Sequence, residues 1–530
     1  MPYYLIHAGA SLQQVTTGGI LTALTLPTGV TVVESVPCRF ATLAGSIVVV
    51  NGVSVNIAIN PSTLATRVLT ITAPTGAPTV AASSGTGNLN GSYRFAYTYA
   101  IITSGVLLTE SPMSPITGPL NFVNKQASWS AVTTSGTAGV THRILYQTVN
   151  GGTTFFETDR IADNTTTTAT TNDSDYDLAL LEAAEPTGLP PGNDTSDKFR
   201  LIVAWKDRLF AAADDAKDDV YISGNRQIYS WSASRRFTVK PAGEDEHGVT
   251  AFMARRDELV MGKRRKLWKL VGTSPSDFEQ VLIADGIGTM SQDASIVIHD
   301  VCYFLGEDGF YEYGPNGVTS LSRDSVHPWF TTDDYFNRRL FPKAFAKFNA
   351  LYGKIELHLA AAGSERIDRW VDYDLKQRQW YGPHKTDDFT PTCGGAMDNL
   401  AGNSTPIIGG SDGFLYRENQ STFTDNGTAI AMDIQAKFHA ANNPDIMHYW
   451  GEPSVLTKIE GAGTLTMTPY VGDLAAVAST AISIDLTKGR QRLRRLGTGR
   501  LCRLQFTNSE NNQGCTIYGY EVPTHELGRR

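Results

Sequence analysis

The chain has 530 residues, more than one ordinary hydrophobic core accommodates, and this length predicts about two to four domains. Apolar residues make up 41% of the chain and charged residues only 18%, with 49 glycines, which favours a β-rich protein with many turns over a helical one. The net charge of −8 excludes a global basic field for nucleic-acid binding, although an acidic protein can still line a passage for DNA without gripping it.

The cysteines and the first residues indicate where the protein is made. The five cysteines are scattered, odd in number and without a C-x-x-C pair, which predicts neither a disulfide framework nor a structural zinc site and fits a reducing compartment. No charged segment followed by an apolar one opens the chain, so no secretion signal is predicted. No apolar run approaches the roughly 20 residues that span a bilayer, so we expect a soluble protein without a membrane span.

The first strong pattern is a compact hairpin. Residues 47–50 are β-branched, Asn51-Gly52 follows as a turn, and residues 53–59 form a second apolar run. A Pro- and Gly-containing stretch at 73–78 then predicts a linker.

A different composition begins near residue 79 and continues to about 190. Aromatic residues alternate with other residues in one segment, which predicts a strand with one buried face: Tyr93, Phe95, Tyr97 and Tyr99. Further strands are predicted around Trp129, at 143–148 and at 153–158, and the Thr-rich run 165–171 is an edge strand or an exposed loop. Several short strands in about 110 residues are typical of an immunoglobulin-like or fibronectin-type sandwich.

After residue 195 a strand–turn–strand unit recurs. In the clearest copy, residues 301–323, we expect positive φ angles at Asp308-Gly309 and at Asn316-Gly317. Aromatic residues that close successive units are 47, 43 and 46 positions apart: Tyr221 to Trp268, Trp268 to Tyr311, and Trp370 to Tyr416. This spacing is that of a propeller blade, and with the hairpin near residues 45–59 it predicts an all-β protein with a β-propeller of about six blades.

Two further elements complete the predicted organisation. Residues 332–341 form the best helix pattern, with Thr332 as the cap and Pro342 as the stop, and are predicted as an insertion between two blades. From about 430 onwards, alternating strands at 465–470, 482–486, 501–506 and 517–522 predict a C-terminal β-sandwich. The predicted division is therefore a propeller segment at 1–72, an inserted sandwich at 73–192, the main propeller at 193–430 and the C-terminal sandwich at 431–530.

Motifs that resemble catalytic or metal sites have simpler structural explanations. Residues 409–413 satisfy G-x-S-x-G, but a strand follows where a nucleophile elbow needs a helix, so a hairpin turn is expected. Asp173, Asp175 and Asp177 imitate the start of a calcium loop without its Gly and Glu, and residues 244–247 are typical of a solvated loop. Asp308 and Asp412 are explained by turns and lack the sialidase Asp-box context. We expect no enzyme activity, no metal site and no cofactor.

Two basic runs remain as candidate contact sites. Lys263, Arg264, Arg265 and Lys266 lie at a predicted hairpin tip, and Arg490, Arg492, Arg494 and Arg495 lie with Arg500 and Arg503 in the last domain. Both runs fit solvated turns and protected strand edges, and both also fit contacts with acidic partner subunits or with DNA phosphates. For the C-terminal run we favour a subunit contact, because arginine is common at interfaces.

Several stretches give the chain a resemblance to a known family. They are SIVVVNGV at 46–53, DRLFAAADDAKDDVYISG at 207–224, ELVMGKRRKLWKLVG at 258–272, VCYFLGEDGFYEYGPNGVTSLS at 301–322 and the closing YGYEVPTHELGRR. In order and style of repeats the chain resembles the tail nozzle proteins of short-tailed bacteriophages, also called tail tubular protein B. The likeness spans most of the chain and contains no catalytic signature.

The resemblance implies a structural virion protein, assembled in the host cytoplasm. Such proteins are propellers with added β-domains that form hexameric rings beneath a tail adaptor, near tail fibres or spikes, and line the channel through which double-stranded DNA leaves. We therefore expect a ring homo-oligomer with an acidic or neutral bore, because strong Lys or Arg contacts to phosphate would retain the genome. The alternatives are a carbohydrate-binding or carbohydrate-cleaving propeller at a virion tip and, third, an adhesin whose sandwich binds the host surface.

Overall fold

A computed structural model describes residues 3–528 except residues 17, 55, 185–197, 241–246, 387–388, 399–403, 419–422, 426, 442, 474–475 and 512. The described chain is almost entirely β-structure. It divides into two compact units, the first comprising Met1–Lys385 with Pro391–Tyr416 and the second Thr386–Thr390 with Arg417–Arg530. The predicted four-part division of the chain stays a prediction.

Six antiparallel sheets that follow one another along the chain build a β-propeller from the described residues. Blade 1 has the strands Arg39–Leu43, Ser46–Val50, Ile57–Ile59 and Thr66–Val68. Blade 2 has Phe199–Trp205, Arg208–Ala213, Asp219–Ile222 and Arg236–Thr238. Blade 3 has Ala251–Ala254, Leu259–Gly262, Lys266–Val271 and Glu279–Asp285.

The second half of the propeller continues in the same order. Blade 4 has the strands Ser295–Ile298, Val301–Leu305, Phe310–Gly314 and Gly317–Ser320. Blade 5 has Phe345–Asn349, Lys354–Leu359, Arg369–Asp374 and Gln379–Lys385. Blade 6 has Pro391–Asp398, Ser404–Gly410 and Leu415–Arg417.

The first strand of each blade packs beside the first strand of the next, from blade 1 through blade 6. Apolar side chains fill the space between consecutive sheets from blade 1 to blade 5, as where Val48 and Val50 of blade 1 share a core with Phe199 and Trp231 of the blade 2 segment. Because blades 2, 3 and 4 each bury both of their faces, alternate residues of one strand enter two different cores. The predicted all-β propeller of about six blades is confirmed.

The turns agree with the prediction only in part. Two-residue turns with two positive φ angles join the first and second strands of three blades, at Ala44-Gly45, Lys206-Asp207 and His299-Asp300. Gly317 has the expected positive φ of 89°. The expectation of a positive φ at Asp308-Gly309 is wrong, because the loop is longer: the Gly306 N–H donates to the Gly309 carbonyl at 2.8 Å. Gly309 is needed there for space, since an added Cβ would lie 2.6 Å from Ser322 Oγ.

The inserted sandwich has two sheets. One contains the strands Val106–Glu110, Phe95–Thr103, His142–Thr148 and Phe155–Ile161, and the other contains Ala169–Thr171, Leu120–Ser130 and Thr79–Tyr93. The prediction of a single buried face around Tyr97 is wrong, because Phe95–Ile102 is buried on both sides. Tyr97 and Trp129 enter a core that includes Val49 and Ile57 of blade 1, and Ala96 and Ala100 enter a second core.

The predicted helix over 332–341 is also wrong. The structure has a short helix at His327–Thr331 and a 3₁₀ helix at Arg338–Lys343, while Phe336 forms an isolated bridge with Ala361. Phe336 and Phe341 both enter the core between blades 4 and 5, next to Phe330 of the short helix, whereas residues five positions apart on one regular helix over 332–341 would not share a face. The other short helices are Asp175–Ala179 and the 3₁₀ helix Ala233–Arg235.

The second unit contains the predicted C-terminal sandwich. One sheet has the strands Met432–Gln435, Leu501–Asn508, Thr464–Gly472, Ala476–Ala478 and Ile482–Asp485. Two smaller sheets have Gly497–Gly499, Met447–Trp450 and Thr524–Gly528, and Arg490–Arg492, Ser454–Thr457 and Ile517–Glu521. Val455, Leu465, Met467 and Phe506 form its core.

Two small sheets are separate in strand pairing from those of the blades and sandwiches. The strands Tyr3–Ala8, Ser11–Thr16 and Leu21–Ala23 form a sheet of their own, and Thr424–Asp425 pairs with Thr428–Ala429. In the described part of the chain no helix is long and apolar enough to cross a membrane.

Candidate functional site

The basic turn 263–266 joins the second and third strands of blade 3 and defines the first candidate site. Lys263 is buried, and its Nζ lies 2.6 Å from Asp218 Oδ1, in the loop before the third strand of blade 2. Its backbone closes the turn, with the Lys263 N–H donating to the Lys266 carbonyl at 2.8 Å. Lys263 therefore joins blade 3 to blade 2 from within the protein.

Arg265 makes the corresponding contact on the other side of blade 3. Its Nε and Nη2 donate to the two carboxylate oxygens of Glu307 in blade 4, at 2.9 and 3.2 Å. The hydrogen bonds from this guanidinium are the main reason that the pKa of Glu307 lies below its usual value. Arg264 Nη1 lies 3.0 Å from His247 Nε2, and Lys266 Nζ lies 3.8 Å from Asp285. All four basic residues of this turn thus have partners within the propeller, and a phosphate contact here stays a prediction.

An arginine–aspartate bridge lies at the axis of the propeller. Arg39 Nη2, in the first strand of blade 1, is 2.8 Å from Asp293 Oδ2, and Asp293 lies two residues before the first strand of blade 4. Blades 1 and 4 are three positions apart among six, so they lie on opposite sides of the axis. Blades 1 and 4 can touch directly only if the six sheets are arranged in a curve around this axis.

A cavity of about 340 Å³ is lined by residues of the blade 2 segment near this bridge: Arg200, Asp214, Lys217 and His247. Arg200 Nε lies 2.7 Å from Asp214 Oδ1, and the Arg200 carbonyl accepts a hydrogen bond from Arg39 Nη1 at 3.4 Å. Glycosidases need two carboxylates with separate roles on either side of a sugar. Here Asp214 and Asp293 are each held by an arginine, so this arrangement neutralises charge instead of separating an acid from a base.

The structure explains the motifs that resembled catalytic sites. In 409–413 the strand Ser404–Gly410 leads into a turn where Gly413 has a φ of 85°, and the strand Leu415–Arg417 follows, as the hairpin interpretation predicts. Asp412 accepts a hydrogen bond from the Tyr416 hydroxyl, which is the main cause of the low pKa of its carboxyl.

The three aspartates near residue 175 are used locally. Asp177 and Ser174 form a capping box on the helix Asp175–Ala179, and Asp175 Oδ1 accepts from the Asn150 N–H at 3.1 Å. Asp173 accepts a hydrogen bond from the Thr158 hydroxyl. Residues 244–246 lie outside the described residues. Among the residues that are described, no group of three or more His, Cys, Asp or Glu side chains could hold a metal ion.

The C-terminal arginines are more exposed than the 263–266 turn. Arg490 and Arg492 lie in one short strand, and Arg490 Nε donates to Ser454 Oγ at 3.0 Å. Arg494 donates to the Thr480 carbonyl at 2.6 Å, and Arg495 lies 3.7 Å from Glu452. Arg503 lies instead between the rings of Phe438 and Tyr470, 4.7 and 4.3 Å from their centres. The run therefore divides between separate parts of the sandwich.

Sequence reasoning missed one buried polar cluster in blade 5. Lys347 Nζ lies 2.8 Å from Glu356 Oε2, and both side chains are buried. His358 is stacked between the rings of Phe345 and Trp370, and neither of its ring nitrogens has a hydrogen-bond partner. In the strand Lys354–Leu359 the polar residues Lys354, Glu356 and His358 alternate with apolar ones. This pattern predicts a strand with one polar and one apolar face, but it does not predict that the polar face is buried.

Burial changes the titration of this cluster. Desolvation, with a smaller contribution from Lys347, lowers the pKa of His358 well below its usual value. Desolvation raises the pKa of Asp372 to about 7, with a smaller contribution from the negative charge of the nearby Glu356. Asp372 Oδ2 lies 3.7 Å from Lys354 Nζ and from His384 Nε2. The cluster is a set of coupled charges inside the propeller.

No protein-family model matches the chain, and no curated protein matches it. Among solved structures, it is similar to the β-propeller domain of Cps50 (Swd1) from Myceliophteria thermophila, with 8% identity and a TM-score of 0.29 over 78% of this chain and 98% of that one. A likeness of this size carries no argument about function. The sheets of the molecule themselves define a β-propeller with an inserted sandwich and a C-terminal sandwich.

Proposed function

We propose that this protein is a structural subunit of a virion, a ring-forming tail nozzle or tail tube protein that forms part of the DNA ejection channel of a short-tailed phage. This proposal is based on the resemblance in the sequence. The proposed binding partners are other copies of the same chain in a hexamer, a tail adaptor, and tail fibres or spikes. Its location is the virion tail, after assembly in the host cytoplasm.

The observation that most supports a structural role is the use of the basic turn 263–266. A site that grips a polyanion presents lysines and arginines whose charges are available to phosphate. Here Lys263 is directed to Asp218 and Arg265 to Glu307, so the charges connect blades 2, 3 and 4. This favours a rigid scaffold that DNA passes without strong attachment.

The Arg39–Asp293 bridge adds a geometric argument. Side chains from opposite blades meet at the propeller axis, so the axis of one subunit is not an open passage for a duplex. In our proposal the DNA channel is therefore formed between subunits, around the symmetry axis of a ring.

Electron microscopy of the purified full-length protein and of assembled particles tests the proposal. We expect rings of about six copies with a central passage, located in the tail. A protein that stays monomeric in mass photometry, both alone and with its tail adaptor, would contradict it.

A polysaccharide-release assay on host envelopes separates this proposal from the carbohydrate alternative. We expect no release, because Asp214 in the cavity and Asp293 in the bridge are each paired with an arginine. Release of sugar that is lost in an Asp293→Asn variant would favour the enzyme.

A further inference from the structure

A mixed basic and apolar surface lies on the second unit, on the outer side of the sheet formed by Arg490–Arg492, Ser454–Thr457 and Ile517–Glu521. In the register of this sheet, Leu456 lies opposite Arg490 on one side and Gly519 on the other, and Ser454 lies opposite Arg492. Gly519 has no side chain to cover Leu456, which is 46% exposed. The centre of the sheet therefore presents an apolar side chain flanked by two arginines.

Two more exposed apolar residues border this centre. Tyr518 is 65% exposed beside the bulge at Thr457, and Ile459 is 66% exposed and lies against the backbone of Gly489, where an added Cβ would meet its side chain at 3.2 Å. We call the surface made of Leu456, Ile459, Arg490, Arg492 and Tyr518 the arginine face. Exposed tyrosine, arginine and aliphatic residues together are typical of protein interfaces.

The arginines of this face have weak compensation within their own chain. Arg490 Nη2 lies 3.9 Å from Glu521 Oε2, and both side chains are mostly exposed. Arg492 is exposed and makes no ion pair with the described residues. The sequence from 486 to 509 contains six arginines and one lysine but no aspartate or glutamate. The face thus has positive charge that a partner can neutralise.

A second copy of the chain offers the complementary charge. The first unit has 40 acidic residues against 33 lysines and arginines, whereas the second has 13 against 12, so the first carries most of the net charge of −8. A closed ring needs two different surfaces that meet head to tail. A basic face on one unit and an acidic excess on the other satisfy this requirement.

We infer that the arginine face binds the acidic surface of the first unit of a neighbouring copy, and that Arg490 and Arg492 anchor this contact. The inference rests on the proposed ring function and specifies one of its interfaces. DNA is the weaker occupant, because phosphate offers no apolar surface for Leu456, Ile459 and Tyr518.

The test compares two charge reversals in the full-length chain. Arg492→Glu reverses a charge in the arginine face, and Lys437→Glu makes the same change at an exposed residue outside it. We expect Arg492→Glu to weaken self-association about 100-fold in mass photometry at low salt, because it places like charges together. Lys437→Glu should assemble like the wild type, and Arg492→Lys should be intermediate, since lysine keeps the charge but loses the two-pronged donor.

The outcomes separate the inference from the proposed function. If the wild type and Arg492→Glu form the same rings with equal affinity, the inference fails while the proposed function stands. If the wild type stays monomeric, both fail. If Arg492→Glu assembles normally but loses binding of a labelled DNA duplex, the face is a nucleic-acid contact and the inference is overturned. Unchanged thermal unfolding of each variant shows that altered assembly is not misfolding.

Discussion

The two faces of blade 5 show how one sheet can be held by two kinds of interaction. On one face Ile355, Leu357 and Leu359 enter the apolar core shared with blade 4. On the other face Lys347, Glu356 and His358 are equally buried, but they are polar. A shift of one residue along a strand exchanges these faces, so the register decides which chemistry each neighbour meets.

The two faces differ in how much they tolerate an imperfect contact with the neighbouring blade. The apolar face gains free energy from each area removed from water, and imperfect contacts reduce that gain gradually. The polar face is favourable only while each buried charge keeps its partner, because an unpaired charge in a poorly solvated site costs several kcal/mol. The polar face therefore specifies its neighbours more strictly, and the following variants test this contrast.

Removing one partner of the buried ion pair should have the largest effect. Lys347→Ala leaves the Glu356 carboxylate buried with Asn349 Nδ2, at 2.7 Å, as its remaining close donor. We expect a loss of about 3–5 kcal/mol in the free energy of unfolding, measured by urea denaturation. The double variant Lys347→Met/Glu356→Leu should recover most of that loss. A single variant that loses less than about 1 kcal/mol would show that the pair is effectively solvated.

Truncation on the apolar face should cost somewhat less. Leu357→Ala removes a fully buried side chain from the core between blades 4 and 5. The expected loss is about 3 kcal/mol, from lost burial and the cavity left behind. Leu351→Ala, at a residue 61% exposed in the neighbouring turn, is the matched control and should be nearly neutral. If both variants lost a similar amount of free energy of unfolding, burial of Leu357 would not be what stabilises this part of the blade.

The polar face should also make stability depend on pH, with two opposing contributions. The lowered pKa of His358 means that the unfolded chain binds its proton first, so stability falls as the pH drops below about 6.5. The raised pKa of Asp372 means that the folded chain holds a proton between about pH 4 and about 7, so this group stabilises the fold as the pH falls through that range.

Two variants separate these contributions in urea denaturation at pH 5 and pH 8. His358→Phe should reduce the loss of stability on acidification, whereas Asp372→Asn should increase it by removing the opposing carboxyl. If both variants shift the pH profile in the same direction, the assignment of the two groups is wrong.

The smallest effect is expected for the exposed ion pair of the 263–266 turn. Arg265 has 71% of its side chain exposed, and its bond to Glu307 is screened by water and salt. Arg265→Ala should cost less than about 1 kcal/mol, and added salt should reduce the difference further. Lys263→Ala, at the buried pair with Asp218, provides the contrast and should cost several times more.

Repetition explains why the propeller could be predicted from the sequence. Short apolar strands, Gly-containing turns and regularly spaced aromatic residues recur in each blade, so errors in one unit do not change the architecture. The polar cluster of blade 5 could not be predicted, because Lys354, Glu356 and His358 have the alternation of a solvent-facing strand. Only the packing of blade 6 on this side, where Gly394 lies against Lys347, reveals that the face is buried.

The two failures in local structure have a related cause. The end signals around 332–341 are good helix signals, but Phe330, Phe336 and Phe341 are drawn into the core between blades. The alternation from Tyr93 to Tyr99 indicates one buried face, yet the small residues between the aromatics allow a second layer to pack on them. In both segments tertiary packing outweighs the local pattern. The sequence identifies the C-terminal arginines as a basic run, but it does not predict that they lie on separate parts of the sandwich.

The Arg39–Asp293 bridge has a consequence for how the chain is made on the ribosome. Its two residues are 254 positions apart, and the inserted sandwich is synthesised between blade 1 and blade 2. Blade 1 leaves the ribosome first but cannot complete its contact across the axis until blade 4 has emerged. Its apolar residues are covered earlier, by the inserted sandwich on one face and by blade 2 on the other, so the polar contact across the axis forms on a blade that is already packed.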